Sequence, residues 1–263
     1  MPDPDTGYAE PERPTLQLDR KRDVVETLWT YCADLNQEAL ILPDGRADVI
    51  LRFRSRPDGI CENVIPVITG PSSVAHLVAI AAGDGFVGVR LRPGRLGIIG
   101  NGNALRDGHL LGTDAVGHVK SLSTVPDHAG SIQALIDVLL NVVEPRRGEN
   151  AEVPCDVIDA SLDRLHLAGG RIGAGSLALS LGVGSRRLHR LFLHHVGMGP
   201  QLYASVLRFQ RAVRMRQHGL TPVQVAHEAG YTDQSHMTRA FRRHGGFTPA
   251  RMPKVDLGSL PIR

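Results

Sequence analysis

One segment of this 263-residue chain occurs twice. Leu188-x-Arg190-x-Phe192-x4-Gly197-x2-Pro200 returns as Met237-x-Arg239-x-Phe241-x4-Gly246-x2-Pro249, every matched position displaced by 49 residues. Ahead of each copy stands Ala-x3-Gly, as Ala178 to Gly182 and Ala226 to Gly230. Self-similarity of this kind implies one structural unit used twice. The residue types say which unit. Two helices that cross steeply through a short turn need a small residue where their backbones meet, and a residue tolerating positive φ in the turn. Ala and Gly fill those roles, while Leu188 with Phe192, and Met237 with Phe241, share one helical face at i and i+4 and can anchor the second helix to a core. The pattern predicts a helix-turn-helix, present twice.

Capping residues agree. Thr221-Pro222-Val223-Gln224 has Thr at the N-cap, Pro at the first helical position and Gln two positions later, a capping box that opens the first helix of the second copy. Gly199-Pro200 opens a long helix to about Gln217, with Leu202, Val206, Phe209 and Val213 on one face and Gly219 just past its end. That helix is the expected spacer between the copies.

Charge divides the chain in the same place as the repeat. Residues 151–263 hold 15 Lys+Arg against 7 Asp+Glu, whereas residues 1–150 hold 15 against 20. A basic half is the footprint of a polyanionic partner, and charge does not by itself separate DNA from RNA or anionic lipid. The polar, proline-flanked stretch 144–154 reads as an interdomain linker. Residues 1–15 read as a disordered tail, 16–143 as a regulatory, effector-binding or dimerising domain, 155–254 as the helical domain and 255–263 as a second tail. Short apolar runs at 39–45, 47–53, 64–69, 74–81 and 86–91, punctuated by Gly and Pro, predict a β-rich N-terminal domain with several hairpins, the first around Asp44-Gly45. Ile132, Leu135, Ile136, Leu139, Leu140 and Val143 recur at helical spacing, for a helix packed on its own sheet or on a second subunit. The fold class is therefore α+β in two domains: a barrel- or jelly-roll-like β-rich domain ending in helices, then an all-α domain with two helix-turn-helix motifs joined by a long helix.

Three dispersed cysteines, Cys32, Cys61 and Cys155, form no CxxC and suggest neither a disulfide framework nor a thiolate zinc site. They fit a reducing cytoplasm, with Cys32 and Cys61 read as small buried hydrophobes rather than redox sensors. No apolar stretch approaches the roughly 18 residues of a membrane span. His189, His194 and His195 do not bring three ring nitrogens to one helical face, so no metal is expected. Gly100-Asn-Gly102 lacks the third glycine and the strand-helix-strand context of a dinucleotide loop.

The C-terminal motifs carry a resemblance. Gly182-Val-Gly-Ser-Arg-Arg-Leu-His-Arg-Leu-Phe192 with Val196-Gly-Met-Gly-Pro200, then Ala229-Gly-Tyr-Thr-Asp-Gln-Ser-His-Met-Thr-Arg-Ala-Phe241 with Gly246-Phe-Thr-Pro249, resemble the AraC/XylS family of bacterial transcription regulators over residues 156–253. Leu42-Pro-Asp-Gly45 and Val87-Gly-Val-Arg-Leu-Arg-Pro-Gly94 resemble, more weakly, a β-rich domain found ahead of such domains. The resemblance implies a nucleoid-associated cytoplasmic regulator that places two recognition helices in successive major grooves of double-stranded DNA. Its implied base-reading residues are Arg186, His189 and Arg190 in the first copy and Gln234, Ser235, His236, Thr238 and Arg239 in the second. Arg187, Arg208, Arg242 and Arg243 are the implied phosphate contacts. Gly184 stands where a Ser commonly caps the first recognition helix, which moves the expected cap to Ser185 and the register by one; Met252 replaces a frequent Tyr, a matter of local packing. A small-molecule effector, an RNA polymerase contact and a homodimer are the expected further partners, with no membrane, cofactor or enzymatic activity. The rivals are a DNA-repair enzyme with a reactive zinc-bound cysteine, which the dispersed cysteines do not support, and an architectural DNA-binding protein.

Overall fold

The computed structural model describes residues 8–9, 23–100, 102–144 and 155–253. In the N-terminal region, strands β1 (Tyr8–Ala9), β2 (Val25–Cys32), β4 (Asp48–Ser55), β5 (Cys61–Thr69), β7 (Asp84–Leu91), β8 (His109–Leu111) and β9 (His128–Ala129) form one antiparallel sheet. Its order is β1-β2-β7-β4-β5-β8, with β9 also on β5. Strands β3 (Gln37–Ile41) and β6 (His76–Ile80) form a separate two-stranded ribbon. Alternation builds the inner face: Val49, Leu51 and Phe53 on β4 and Val87, Val89 and Leu91 on β7 are buried, with outward residues between them on β4. Helices α1 (Gly112–His118) and α2 (Ile132–Val142) follow, α2 capped by the Ser131 hydroxyl. The periodic residues Leu135, Ile136, Leu139 and Leu140 are buried in the same core as β4 and β7, so α2 packs on its own sheet.

Two N-terminal expectations are corrected. Asp44-Gly45 is no hairpin turn, because β3 pairs with β6 while β4 pairs with β5 and β7. Gly45, at φ 68°, instead carries the chain out of the ribbon and into the sheet. Tyr8 and Ala9, placed in the expected tail, pair with Tyr31 and Thr30 and so satisfy backbone groups on the β2 edge. The expected linker lies, apart from Glu144, outside the described residues, as do residues 1–7, 10–15 and 255–263 of the expected tails.

The C-terminal region is helical: α3 (Asp156–Leu167), α4 (Ala174–Ser180), α5 (Ser185–His195), α6 (Pro200–Gln217), α7 (Pro222–Glu228) and α8 (Gln234–Gly245). The pairs α4/α5 and α7/α8 are the two copies of the repeat. Gly182 and Gly230 turn each pair at φ 64° and 82°, and Ala178 and Ala226 are buried beneath the crossings. Leu188 and Phe192 enter one apolar cluster, Met237 and Phe241 another. α6 contributes Tyr203 and Val206 to the first and Phe209 and Val213 to the second, which is why it is buried on more than one side.

The two regions touch. Loop 42–46 lies on α6: Gln210 Nε2 donates to Pro43 O at 3.1 Å, and Leu42 belongs to the apolar cluster of the second copy. A Cβ on Gly45 would sit 2.9 Å from Cε2 of the buried Tyr203. Arg95 makes a two-pronged ion pair with Asp159 of α3 at 2.8 and 3.0 Å. Among the described residues no helix is long and apolar enough to cross a membrane.

Candidate nucleic-acid interface

Both second helices of the repeat are amphipathic in the same register. In α5 the buried residues are Leu188, Phe192 and His195; in α8 they are Met237, Ala240, Phe241, His244 and Gly245. The opposite face of α5 exposes Arg186, Arg187, His189 and Arg190. That of α8 exposes Gln234, Ser235, Arg239, Arg242 and Arg243, with His236 and Thr238 half-buried. Gly184, and not Ser185, holds the N-cap position of α5, while Asp233 holds that of α8. The expected slip of one residue is therefore absent: Ser185 and Gln234 both open their helices, 49 residues apart. Backbone φ and ψ at Gly184 are already extended, so the helix starts there without a capping side chain, whereas the Asp233 carboxylate accepts from His236 N at 2.6 Å.

Charge on these faces is uncompensated. Arg186, Arg187, Arg190, Arg239, Arg242 and Arg243 have no ion pair or side-chain hydrogen bond among the described residues. Arginines of the N-terminal region behave differently. Arg46 grips Glu26, Arg90 grips Asp48 and Asp44, and Arg52 and Arg54 share the buried Asp84. Burial alone would raise the Asp84 carboxyl, but the Ala81 N–H and the two arginines outweigh it and hold it below the usual carboxylate range. A guanidinium kept from every carboxylate on a solvent face is available to an external anion.

Four implied contact residues are partly engaged within the protein. The His189 ring lies against Gly199, where a Cβ would come within 2.7 Å of His189 Cε1. Thr238 Oγ1 donates to Gln234 O at 2.9 Å. His236 Nδ1 is 3.4 Å from Thr232 Oγ1, and its ring meets Tyr231 edge-on with centroids 5.3 Å apart. Arg208 is half-buried, its guanidinium carbon 5.8 Å from the Tyr231 ring centroid, and its Nε is buried without a hydrogen-bond partner. Burial raises the Tyr231 hydroxyl, so it stays neutral beside that cation.

Sequence reasoning missed one feature of the repeat. His195 and His244 are also 49 residues apart, each near the C-terminal end of its helix and each buried. His244 Nδ1 donates to Ser73 O at 2.7 Å, its Nε2 is 2.8 Å from Ser205 Oγ, and Ala75 N donates to His244 O at 2.6 Å. His195 lines a small cleft with Gly45, Arg46, Leu91, Gly94 and Leu96 of the N-terminal region. Both helices thus present the polar residues of their outer faces to solvent and press their C-terminal ends on the β-rich region. The two histidines are the third of the four residues between Phe and Gly in each copy of the repeat, so the pair was legible in the alignment, although not what covers it.

No group of three or more metal-ligating side chains occurs among the described residues. Burial raises the thiols of Cys32 and Cys61, which disfavours thiolates.

Residues 177–254 match the family described as helix-turn-helix domain. The chain carries an AraC-type helix-turn-helix domain. Relatives of this AraC-type domain include the HTH-type transcriptional activator RhaS of Escherichia fergusonii, 36% identical over 88 residues, which are 33% of this chain and 30% of RhaS. RhaS of Pectobacterium carotovorum subsp. carotovorum is 37% identical over 70 residues, 26% of this chain and 25% of that protein. The chain thus matches less than a third of either relative. Among solved structures, ToxT of Vibrio cholerae O395 aligns with 88% of this chain and 96% of its own at 12% identity and a TM-score of 0.43. A transcriptional regulator with an AraC-type DNA-binding domain from Chromobacterium violaceum aligns with 36% of this chain and 86% of its own at 25% identity and a TM-score of 0.34.

Proposed function

We propose that this chain is a sequence-specific DNA-binding transcription regulator of the AraC/XylS type, whose helices α5 and α8 enter successive major grooves about 34 Å apart on one face of a duplex. One observation carries this: two copies of a single unit each present a helix whose outer face bears exposed guanidinium groups, none of them paired to a carboxylate among the described residues. Arg187, Arg242 and Arg243 are assigned to phosphates, and Arg208 to a phosphate between the grooves. The outer residues of α5 and α8 read the bases. The β-rich region is the place of control, by a small-molecule effector or a second copy of the chain, and RNA polymerase is the expected recipient of the signal. A ligand regulates here only if it binds one arrangement of the two regions better than another.

Selection from a randomised DNA pool tests the proposal, followed by titration of the preferred duplex at several salt concentrations. A bipartite preferred sequence is expected, with log affinity falling against log salt by about 0.9 per neutralised phosphate. Binding without sequence preference would favour the architectural alternative, and a flat salt dependence would remove the role of the exposed arginines.

A further inference from the structure

We propose that strand β6 is a self-association edge: two molecules pair β6 with β6 antiparallel, across a two-fold axis at Val78, to make a four-stranded ribbon β3-β6-β6-β3. The proposal rests on the regulatory reading above and names the surface through which a second copy of the chain acts in it. Its ground is an edge strand without the usual protection. β6 pairs with β3 alone, and among the described residues the backbone from His76 to Ile80 makes no hydrogen bond outside that ladder. In an antiparallel ladder alternate residues turn their N–H and C=O groups away from the partner, so such an edge offers unpaired groups to another strand. Natural edges are guarded by charges, prolines or bulges. From Val74 to Gly83 there is no Asp, Glu, Lys, Arg or Pro. The β3–β6 register is unbroken, and Leu77 is 64% exposed with Val74 at 41%. The opposite edge is guarded, because β3 exposes Glu38, with Asp34 just ahead of it.

Local structure sets the occupant and the register. Ala75 N donates to His244 O of α8, so the edge is closed at that residue and a partner strand extends no farther than His76. The period of two puts the N–H groups of Leu77 and Ala79 on the same edge as that of Ala75. Pairing that uses the whole of His76–Ile80 is therefore centred on Val78. It sets Leu77 opposite the partner's Ala79, a large side chain beside a small one, His76 opposite the partner's Ile80, and Val78 opposite the partner's Val78. Such an edge excludes a strand that would bring a carboxylate or an ammonium group into it, and an identical uncharged strand brings none. Two-fold symmetry then satisfies both edges at once. Because Ser73 and Ala75 hold His244, the joint lies beside the C-terminal end of α8.

Sedimentation of the full-length protein over a concentration series tests the pairing. Dimers should form as concentration rises, with amide exchange at Leu77 and Ala79 slowing in parallel. Leu77→Lys installs the missing guard charge at an exposed position and should weaken self-association about tenfold or more, leaving affinity for a single bipartite DNA site unchanged. Opposite members of a non-hydrogen-bonded pair stand about 4.5 Å apart at Cα, within disulfide reach, so Val78→Cys but not Glu38→Cys should give a disulfide-linked dimer on treatment with diamide. A monomer at every concentration, a dimer that Leu77→Lys leaves intact, or a Val78→Cys protein that forms no link overturns the proposal. So does slow exchange at Leu77 and Ala79 in the monomer, since a segment of the same chain then covers the edge. Each of these leaves DNA recognition untouched, whereas absence of any preferred DNA sequence overturns the regulator reading itself.

Discussion

Neighbouring residues on one helix turn have opposite fates in this protein, and the contrast is measurable. Phe192 and Phe241 are fully buried, Phe241 against Phe209 with ring centroids 5.2 Å apart, so truncating either to Ala should cost about 3–5 kcal/mol in a denaturant titration. Arg190→Ala and Arg239→Ala remove exposed, unpaired side chains and should leave stability within about 0.5 kcal/mol of the parent. Their effect belongs to DNA affinity, a loss of about 1–3 kcal/mol for the preferred site. Loss of binding in the Phe variants would therefore not mark a DNA contact.

His244 makes a third kind of residue-level expectation. Burial lowers its pKa below the ordinary histidine value, with Arg243 and Arg208 acting in the same direction and the Ser73 carbonyl and Asp107 against it. The folded protein thus resists a proton that the unfolded chain accepts near pH 6.5, so this contribution is complete above about 6.5 and fades as pH falls below it. Melting temperature should drop between pH 7.5 and 5.5. His244→Gln should reduce that slope, and an equally steep slope in the variant would assign the acid sensitivity elsewhere.

Helix ends decide register, and register decides which side chains face outward. α7 carries the complete Thr221–Gln224 capping box, and Thr221→Ala should cost about 1 kcal/mol. α8 depends on Asp233, whose loss removes both the cap and a negative charge beside the helix tip; Asp233→Ala should destabilise by a similar amount. The corresponding Gly184→Ser in α5 would supply a missing cap, and a gain of a few tenths of a kcal/mol or more in thermal unfolding is expected. Periodicity and caps made these elements legible: α6 begins at Pro200 and ends at Gln217 as predicted, and the capping box is where the sequence placed it. The sheet was less so. Strand β2, Val-Glu-Thr-Leu-Trp-Thr-Tyr-Cys, has half-buried residues on both sides of its two well-buried ones, so no clean alternation announces it.

Across the whole molecule, the β-rich region braces the second helix of each copy of the repeat. It meets the C-terminal end of α8 at Ser73 and Ala75, the end of α5 near Leu96, the spacer helix through loop 42–46, and α3 through Arg95. Leu42 even belongs to the core of the second copy, so the fragment 151–263 should fold less stably than its place in the intact chain. Gly45→Val tests the brace, because it forces a β-branched residue to φ 68° and drives its Cβ towards the immovable Tyr203 ring. Hydrogen exchange at Ala75 should quicken in that variant, and DNA sites with one base pair added between the blocks should be tolerated better than by the parent. Unchanged spacing selectivity would mean that α6 alone fixes the separation.

Local chemistry is enough to read the repeat, its turns, its caps and the face of each second helix, because a residue's periodicity and φ requirement depend only on its near neighbours in the chain. The duplicated helix-turn-helix follows from those signals. Strand partners, the seat of loop 42–46 on α6 and the burial of His195 and His244 depend on segments far apart in sequence meeting in space. No short-range pattern encodes such meetings, since the same Asp-Gly that closes a hairpin in one fold leads, in this one, out of a ribbon and against a tyrosine of another region.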